Sequence, residues 1–387
     1  MSKKIGVGII GASADRGWAR VAHLPALQSL GAYEIRAVST TRRETAERSA
    51  RELGIDLFFD NHHDLLPRPE VDLAVVAVNV TFHRQVATAA IEAGKMVFCE
   101  WPLGRNLLEA QEIASLAREK GVRTLIGLQG RLSPAVRYIR DLLANGYAGK
   151  LLNTSVRGYG PDDVWVGRFD PHFEFMADKG SGATLLSIAA GHALEQLTFV
   201  LGEFASVSST LVARRNEGLR LRDNAKVPIS APDEVALSGV LENGALASVE
   251  YHAGSSPGPD FVWEINGVDG KLILTAEDGY ANIADLTLIG RRGADRLAPL
   301  PIPNEYRLAP VGLRGPAVNV AALYGQFAQD IADGTALAPD FEAAVRRHQL
   351  IDAIERSDQT GMRAVLDDRQ GVHRPRPISR AGSVETR

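Results

Sequence analysis

The sequence is poor in the features that mark several large functional classes. It has one cysteine, Cys99, in 387 residues, which excludes an internal disulfide framework and any multi-cysteine zinc or iron–sulfur centre. No apolar run approaches the roughly 18 to 20 residues that a membrane helix needs. Neither sign of charge dominates. The 43 Lys and Arg against 47 Asp and Glu leave a net charge of −4, so no general basic field gathers nucleic acid or anionic lipid. Arg214, Arg215, Arg220 and Arg222 do cluster, but Glu217 and Asp223 interrupt them without an aromatic platform, and a solvated loop is expected there. His62 and His63 are adjacent, so their side chains are expected to diverge, and no metal site is expected. Met1–Lys4 leads straight into strand-like sequence, without a leader-like apolar stretch, and a soluble cytoplasmic chain is expected.

What is present has two rhythms. Up to about residue 128, short apolar runs alternate with helical stretches. The runs are Gly6–Ile10, Ile35–Val38, Leu73–Val78, Lys95–Cys99 and Thr124–Leu128. Each is apolar at consecutive positions, as for strands buried on both faces of a parallel sheet. Helix spacing appears between them at His23–Leu30, Thr45–Leu53, His83–Glu92 and Leu107–Lys120. The alternation predicts an α/β doubly wound parallel sheet over 1–130.

Over 131–370 an α+β domain is expected, built on a large, mostly antiparallel open sheet. Helices are predicted at Pro134–Ala144, Ala183–Leu201, Val320–Ala332 and Phe341–Arg356. Strands are predicted at Leu151–Tyr159, Ser206–Val212, Glu234–Leu241, Ala245–Tyr251, Phe261–Asn266 and Lys271–Thr275, with Asn243-Gly244 and Asp269-Gly270 as turns. Residues 371–387, which contain His373-Arg374-Pro375-Arg376-Pro377, have the composition of a frayed tail.

The first strand runs into Gly11-Ala12-Ser13-Ala14-Asp15-Arg16-Gly17-Trp18. A dinucleotide-binding turn needs glycine where the strand turns and where backbone approaches pyrophosphate, and Gly11, Ser13, Gly17 and Trp18 are the candidates. The second strand ends Val38-Ser39-Thr40-Thr41-Arg42, without the acid that would bind a ribose diol. An arginine there suits a 2′-phosphate, so NADP is expected over NAD, with Ser39, Thr40 and Arg42 near the phosphate. The alternative is an arginine pair that opens the next helix in solvent. At the carboxyl edge of the later strands, Asn79, Thr81, His83, Glu100, Trp101, Pro102 and Gln129 are further cofactor candidates.

These segments, with His23-Leu24-Pro25-Ala26-Leu27, Glu100-Trp101-Pro102-Leu103 and the stretch from Gly182 to Leu194, resemble the Gfo/Idh/MocA oxidoreductases. Within that family, Glu100–Arg105 and Gly182–Leu194 look like the branch containing the galactose repressor Gal80. The resemblance implies a Rossmann domain that binds a nicotinamide dinucleotide, and a second domain that carries substrate contacts and an oligomer interface. It implies an NADP(H)-dependent oxidoreductase acting on a carbohydrate-like hydroxyl or carbonyl, as a homodimer or homotetramer. Its alternative is a Gal80-like regulatory or sensor protein that binds a dinucleotide, does not turn it over, and acts through a protein partner.

Two departures bear on catalysis. Where the family has a lysine between Glu and Pro, this chain has Trp101; where it has an aspartate four residues before the histidine, this chain has Ile188. A tryptophan cannot relay a proton at neutral pH. His192 is left as the candidate acid/base, with Ser187 and Glu195 as neighbours on its helix. If a lysine has migrated, Lys179 is the candidate, its alternative being a solvated loop residue. Trp165, Arg168 and His172, in an aromatic loop, and Arg131 are substrate-binding candidates; for the loop the alternative is a packing lid.

Overall fold

The apolar runs pair as parallel strands of one sheet. The computed structural model describes residues 3–13 and 17–366, and the tail expected over 371–387 lies outside them. In chain order, β1 (Ile5–Ile10), β2 (Tyr33–Ser39), β3 (Leu57–Phe59), β4 (Leu73–Val76), β5 (Met96–Cys99) and β6 (Thr124–Ile126) form a six-stranded sheet. Its order is β3-β2-β1-β4-β5-β6, every pair parallel. The order reverses between β1 and β4, and a crevice forms outside the carboxyl ends there.

The connecting helices are α1 (Leu24–Gln28), α2 (Arg43–Leu53), α3 (His62–Leu65), α4 (His83–Glu92) and α5 (Leu107–Lys120). A π-helical turn, Ala19–His23, precedes α1. Asn61 and Asn106 cap α3 and α5, each accepting from the backbone N–H three residues on, which satisfies one orphan donor of each first turn. His62 and His63 do not diverge as expected. Their ring centroids are 4.1 Å apart with the planes tilted by 35°, so the two imidazoles lie against each other at the start of α3.

Beyond α6 (Pro134–Ala144) comes β7 (Leu151–Gly160), and past the short β8 (Arg168–Phe169) lies α7 (Gly191–Leu201). A π-helical turn, Leu186–Ala190, leads into α7. The remaining strands are β9 (Phe204–Val212), β10 (Glu217–Arg220), β11 (Lys226–Pro228), β12 (Glu234–Leu241), β13 (Leu246–Ala253), β14 (Phe261–Gly267), β15 (Gly270–Ala276), β16 (Thr287–Arg292), β17 (Ala298–Pro299) and β18 (Ala364–Val365). Nine of them form a sheet ordered β17-β16-β15-β14-β7-β13-β12-β9-β18. It is antiparallel throughout except at β13–β7.

The arginine cluster is not a solvated loop. Its chain folds into the β10–β11 hairpin, and β10 pairs in parallel with β8. Arg220 bonds Glu174 at 2.5 and 2.8 Å, and Arg215 bonds Asp233 at 2.6 Å. The acids that hold these two arginines are thus Glu174 and Asp233; of the interrupting acids, Asp223 lies 3.3 Å from Arg220, whereas Glu217 pairs with Lys226.

Two last helices, α8 (Pro316–Asp333) and α9 (Phe341–Thr360), finish the chain. Helix α9 covers β9, whereas α8 packs on the N-terminal sheet. Val320, Tyr324 and Phe327 share a buried core with Val7, Ile9, Leu27 and Phe98. Among the described residues no helix is long and apolar enough to cross a membrane.

Candidate functional site

The crevice is floored by the ends of β1, β4, β5 and β6. Gly11 ends β1 with φ +99°, and a Cβ there would overlap the Ala77 carbonyl, so the tight first turn admits only glycine. Its N–H donates to the Ser39 carbonyl at 2.8 Å. Ser13 N–H donates back to Gly11 at 3.1 Å. Gly17 also has positive φ, +95°, with open space where a side chain would stand. At the end of β2, Ser39 is buried and Thr40 Oγ1 is occupied locally by Thr45 Oγ1 at 2.6 Å. Arg42 is exposed, while the Arg43 guanidinium lies 5.2 Å from the Phe58 ring centre.

Beyond β4, Asn79 Oδ1 accepts from the Thr81 N–H at 3.0 Å and from Thr81 Oγ1 at 3.2 Å, closing a short turn. His83 opens α4 and is buried. Its Nδ1 lies 2.7 Å from the Pro102 carbonyl and its Nε2 3.0 Å from the Val78 carbonyl. It therefore clips together the turns that follow β4 and β5. Burial pushes the His83 imidazole below its ordinary value, against the pull of those carbonyls and of Glu100 and Glu109.

After β5 come Glu100, Trp101 and Pro102, with a cis bond before the proline. Glu100 Oε1 lies 2.9 Å from Nε2 of His23, and His23 Nδ1 lies 2.8 Å from the Tyr324 hydroxyl. A carboxylate, an imidazole and a phenol are thus strung from the crevice into the core, on β5, the π-turn before α1, and α8. Burial works to raise the Glu100 carboxyl. His23, Trp18 and His192 together outweigh it and hold the group below the ordinary carboxylate range.

Trp101 is only 5% exposed, and its Nε1 donates to the Ser187 carbonyl at 2.7 Å. Its one polar handle is spent inside the protein. The ring lies 4.8 Å from His348 of α9. Burial pushes His348 down to about 3.

His192, at the start of α7, is half-buried with its Nδ1 sealed and unpartnered among the described residues. Burial pushes it down to about 4, and the opposing charges are Glu100 and Glu195. Glu195 does not pair with His192. It is fully buried and bonds Arg131 Nε at 2.7 Å and Arg347 Nε at 3.1 Å, and Arg347 continues to Glu203 at 2.8 Å. Burial alone would raise the Glu195 carboxyl, but the two guanidinium groups hold it low. Arg131 is committed to that network, and its guanidinium also lies 5.0 Å from the Phe199 ring centre. Gln129 is buried beside it.

The aromatic loop is pinned. Trp165 is buried, and its N–H donates to the Tyr280 hydroxyl, which in turn donates to Asp162 at 2.7 Å. Arg168 lies in β8 with Asp163 at 3.6 Å, and His172 is exposed beside Phe173. Lys179 is exposed, its backbone N–H donating to Ser230 at 3.0 Å, and its charge acts on Glu355 rather than His192. The structure therefore gathers Trp18, Glu100, Trp101 and His192 at one crevice and leaves Lys179 and Arg168 outside it. Sequence reasoning missed Tyr324, Arg347 and His348, and His23 entered only within its motif. The one available signal was the polar pair Glu195-Gln196 within an apolar helix, since such groups need buried partners.

The two halves match two family models. Residues 5–128 match the oxidoreductase family with an NAD-binding Rossmann fold, and residues 134–276 match the Gal80p C-terminal domain. The chain belongs to the Gfo/Idh/MocA family, in its Gal80-like branch. It is 37% identical over 213 residues to dehydrogenase aclE of Aspergillus oryzae, a match that spans 54% of this chain and 57% of that protein. It is 28% identical over 305 residues to the galactose/lactose metabolism regulatory protein GAL80 of Saccharomyces cerevisiae, covering 73% of this chain and 69% of the relative. In fold it is similar to a levoglucosan dehydrogenase solved with NADH and L-sorbose, at a TM-score of 0.82 and 21% identity, over 94% of this chain and 99% of that one. The proteins to which the chain is similar thus include both a dehydrogenase and a regulator.

Proposed function

We propose that the protein is an NADP(H)-dependent oxidoreductase acting on a sugar- or polyol-like hydroxyl or carbonyl. The observation that carries this reading is that the Glu100 charge, at the carboxyl edge of the sheet, acts on the His192 imidazole, which places two proton-accepting groups near one dinucleotide crevice. The crevice fits such a group: Gly11 admits no Cβ, and the buried Gln129 Oε1 and His192 Nδ1 lack partners among the described residues. Bound nicotinamide supplies the hydride chemistry. Ser39, Thr40 and the exposed Arg42 would face the adenosine phosphate, and the absence of an acid at that strand end favours NADP.

His192, neutral at pH 7 because burial disfavours its charged form, is suited to accept the proton of a substrate hydroxyl. Glu100 is held in place by His23 and places negative charge beside it. Trp101 excludes water and donates nothing to substrate. A homodimer or homotetramer across the open sheet accompanies this reading.

A second reading is favoured by one observation. The Trp101 N–H is consumed by Ser187, so the position that carries a lysine in the family is here a structural bolt, as suits a dinucleotide-binding regulator with a protein partner. The nicotinamide absorbance of purified protein, mixed with NADP⁺ or NADPH and a panel of sugars, polyols and keto-sugars, separates the two. A change abolished by His192→Ala, with cofactor affinity intact, supports the enzyme. Tight NADP binding without turnover of any panel member supports the regulator.

A further inference from the structure

A neutral imidazole carries its proton on one nitrogen, and the partner of the other decides which. The Nδ1 of His192 is sealed from solvent without a partner among the described residues, an arrangement that costs free energy unless a hydrogen bond is made.

The side chains around it can be taken in turn. Ile188, one turn earlier, is a hydrocarbon. The Ser187 hydroxyl donates to the Gly182 carbonyl at 2.7 Å and accepts from the Thr184 N–H at 2.8 Å. The Glu195 carboxylate is divided between Arg131 and Arg347. Gln196, one turn after His192, is 0% exposed, and neither its Nε2 nor its Oε1 has a partner among the described residues.

Residues four apart on a helix are neighbours, and a long side chain leans back toward the helix N-terminus over the residue four before it. Gln196 and His192 therefore share one face of α7. The Gln196 amide meets Gly130, where a Cβ would stand 2.5 Å from Nε2 and 3.1 Å from the Asn282 Cβ. Two buried acceptors on that side, Gln129 Oε1 and Asn282 Oδ1, lack donors among the described residues. An amide NH₂ carries two donors. With the NH₂ on the Gly130 side, toward those two acceptors, the carbonyl oxygen is left for the imidazole.

We propose that Gln196 is the positioning residue of His192. Its NH₂ faces Gln129 and Asn282, and its Oε1 accepts the Nδ1–H through one buried water, so that the Nε2 lone pair faces the crevice. This rests on the reading of His192 as the proton acceptor and adds the tautomer that makes it one. In the oxidative direction the hydroxyl proton passes to Nε2. A nicotinamide dinucleotide held in the crevice would supply the hydride acceptor for the carbon bearing that hydroxyl, whose C–O bond would become a carbonyl. A neutral amide does not stabilise imidazolium as a carboxylate would. The charged groups that act on the ring are Glu100 at the end of β5 and Glu195 on α7, the latter shared between Arg131 and Arg347.

The test is ¹⁵N NMR of the His192 ring in the full chain without cofactor, for the natural protein, Gln196→Leu and Gln196→Glu. The natural protein is expected to hold the Nδ1–H tautomer at pH 7. Gln196→Leu is expected to shift it toward Nε2–H. Gln196→Glu should keep it and move the ring titration upward by about one pH unit or more. An Nε2–H tautomer in the natural protein, or a ring indifferent to Gln196→Leu, overturns the assignment. Should Gln196→Leu not fold, a titration unmoved in Gln196→Glu overturns it equally. None of these signals needs turnover, so a protein that oxidises nothing but shows them refutes the enzyme reading alone.

Discussion

The indole N–H of Trp101 and the carbonyl of Ser187, 2.7 Å apart, bolt the turn after β5 to the π-helical turn before α7. A buried hydrogen bond contributes modestly when made, but removing one partner strands the other at roughly 1–3 kcal/mol. Trp101→Phe keeps the aromatic volume and loses the donor. Its unfolding free energy in urea is expected to fall by about that amount, with dinucleotide affinity changed little. An unchanged denaturation midpoint would show that the bond carries no stability.

Acid should weaken the protein through its buried imidazoles. His192 and His348 have folded values near 4 and 3, against an ordinary 6.5, because burial disfavours their charged forms. The unfolded chain therefore binds protons that the folded one refuses, and stability falls as pH drops below about 6.5. The loss continues toward each folded value, at no more than about 1.4 kcal/mol per pH unit for each group. His348→Phe removes one of these groups and should flatten the acid limb of stability measured by denaturant titration at pH 4 to 7. A limb as steep as before would place the loss elsewhere.

Glu195 sits between two guanidinium groups with almost no exposure. Glu195→Ala leaves the Arg131 and Arg347 charges without it, and breaking a buried pair in this way costs about 3–5 kcal/mol. Calorimetry is expected to show a large drop in Tm. Glu195→Gln keeps the shape but removes the charge, and should fall between.

At the adenosine end, Arg42→Ala should weaken NADP binding roughly tenfold to a hundredfold, the worth of a charge-assisted bond of about 1.5–3 kcal/mol. NAD binding should change little. Arg43→Ala serves as the control, because that guanidinium rests over Phe58. Titration calorimetry with both dinucleotides decides, and an undiminished NADP preference in Arg42→Ala would remove the phosphate assignment.

The parallel sheet was legible because four of its strands are continuous apolar runs and Gly11 ends the first. Strand β3 was not, since Leu57, Phe58 and Phe59 lie at a sheet edge and are each only partly buried. The β10–β11 hairpin hid behind charge, because its arginines are held by Glu174 and Asp233 rather than by an apolar face. Helical spacing located α8 but could not say that its apolar face belongs to the N-terminal sheet. At the site, Glu100, Trp101 and His192 stood out by their motifs. Tyr324 and Arg347 did not, because a phenol and a guanidinium far along the chain become partners only once the chain has closed on itself.

That closure bears on how the protein is made. Val320, Tyr324 and Phe327 join Leu24, Ala26 and Leu27 of α1 in covering Val7, Ile9 and Phe98 of the first sheet, so a nascent chain halted after β6 would hold its six strands with part of one side uncovered. A domain commonly folds as soon as it has emerged from the ribosome. Here the earliest-synthesised half must wait for about two hundred further residues before its own interior is sealed, and it is exposed to chaperones and proteases throughout that interval.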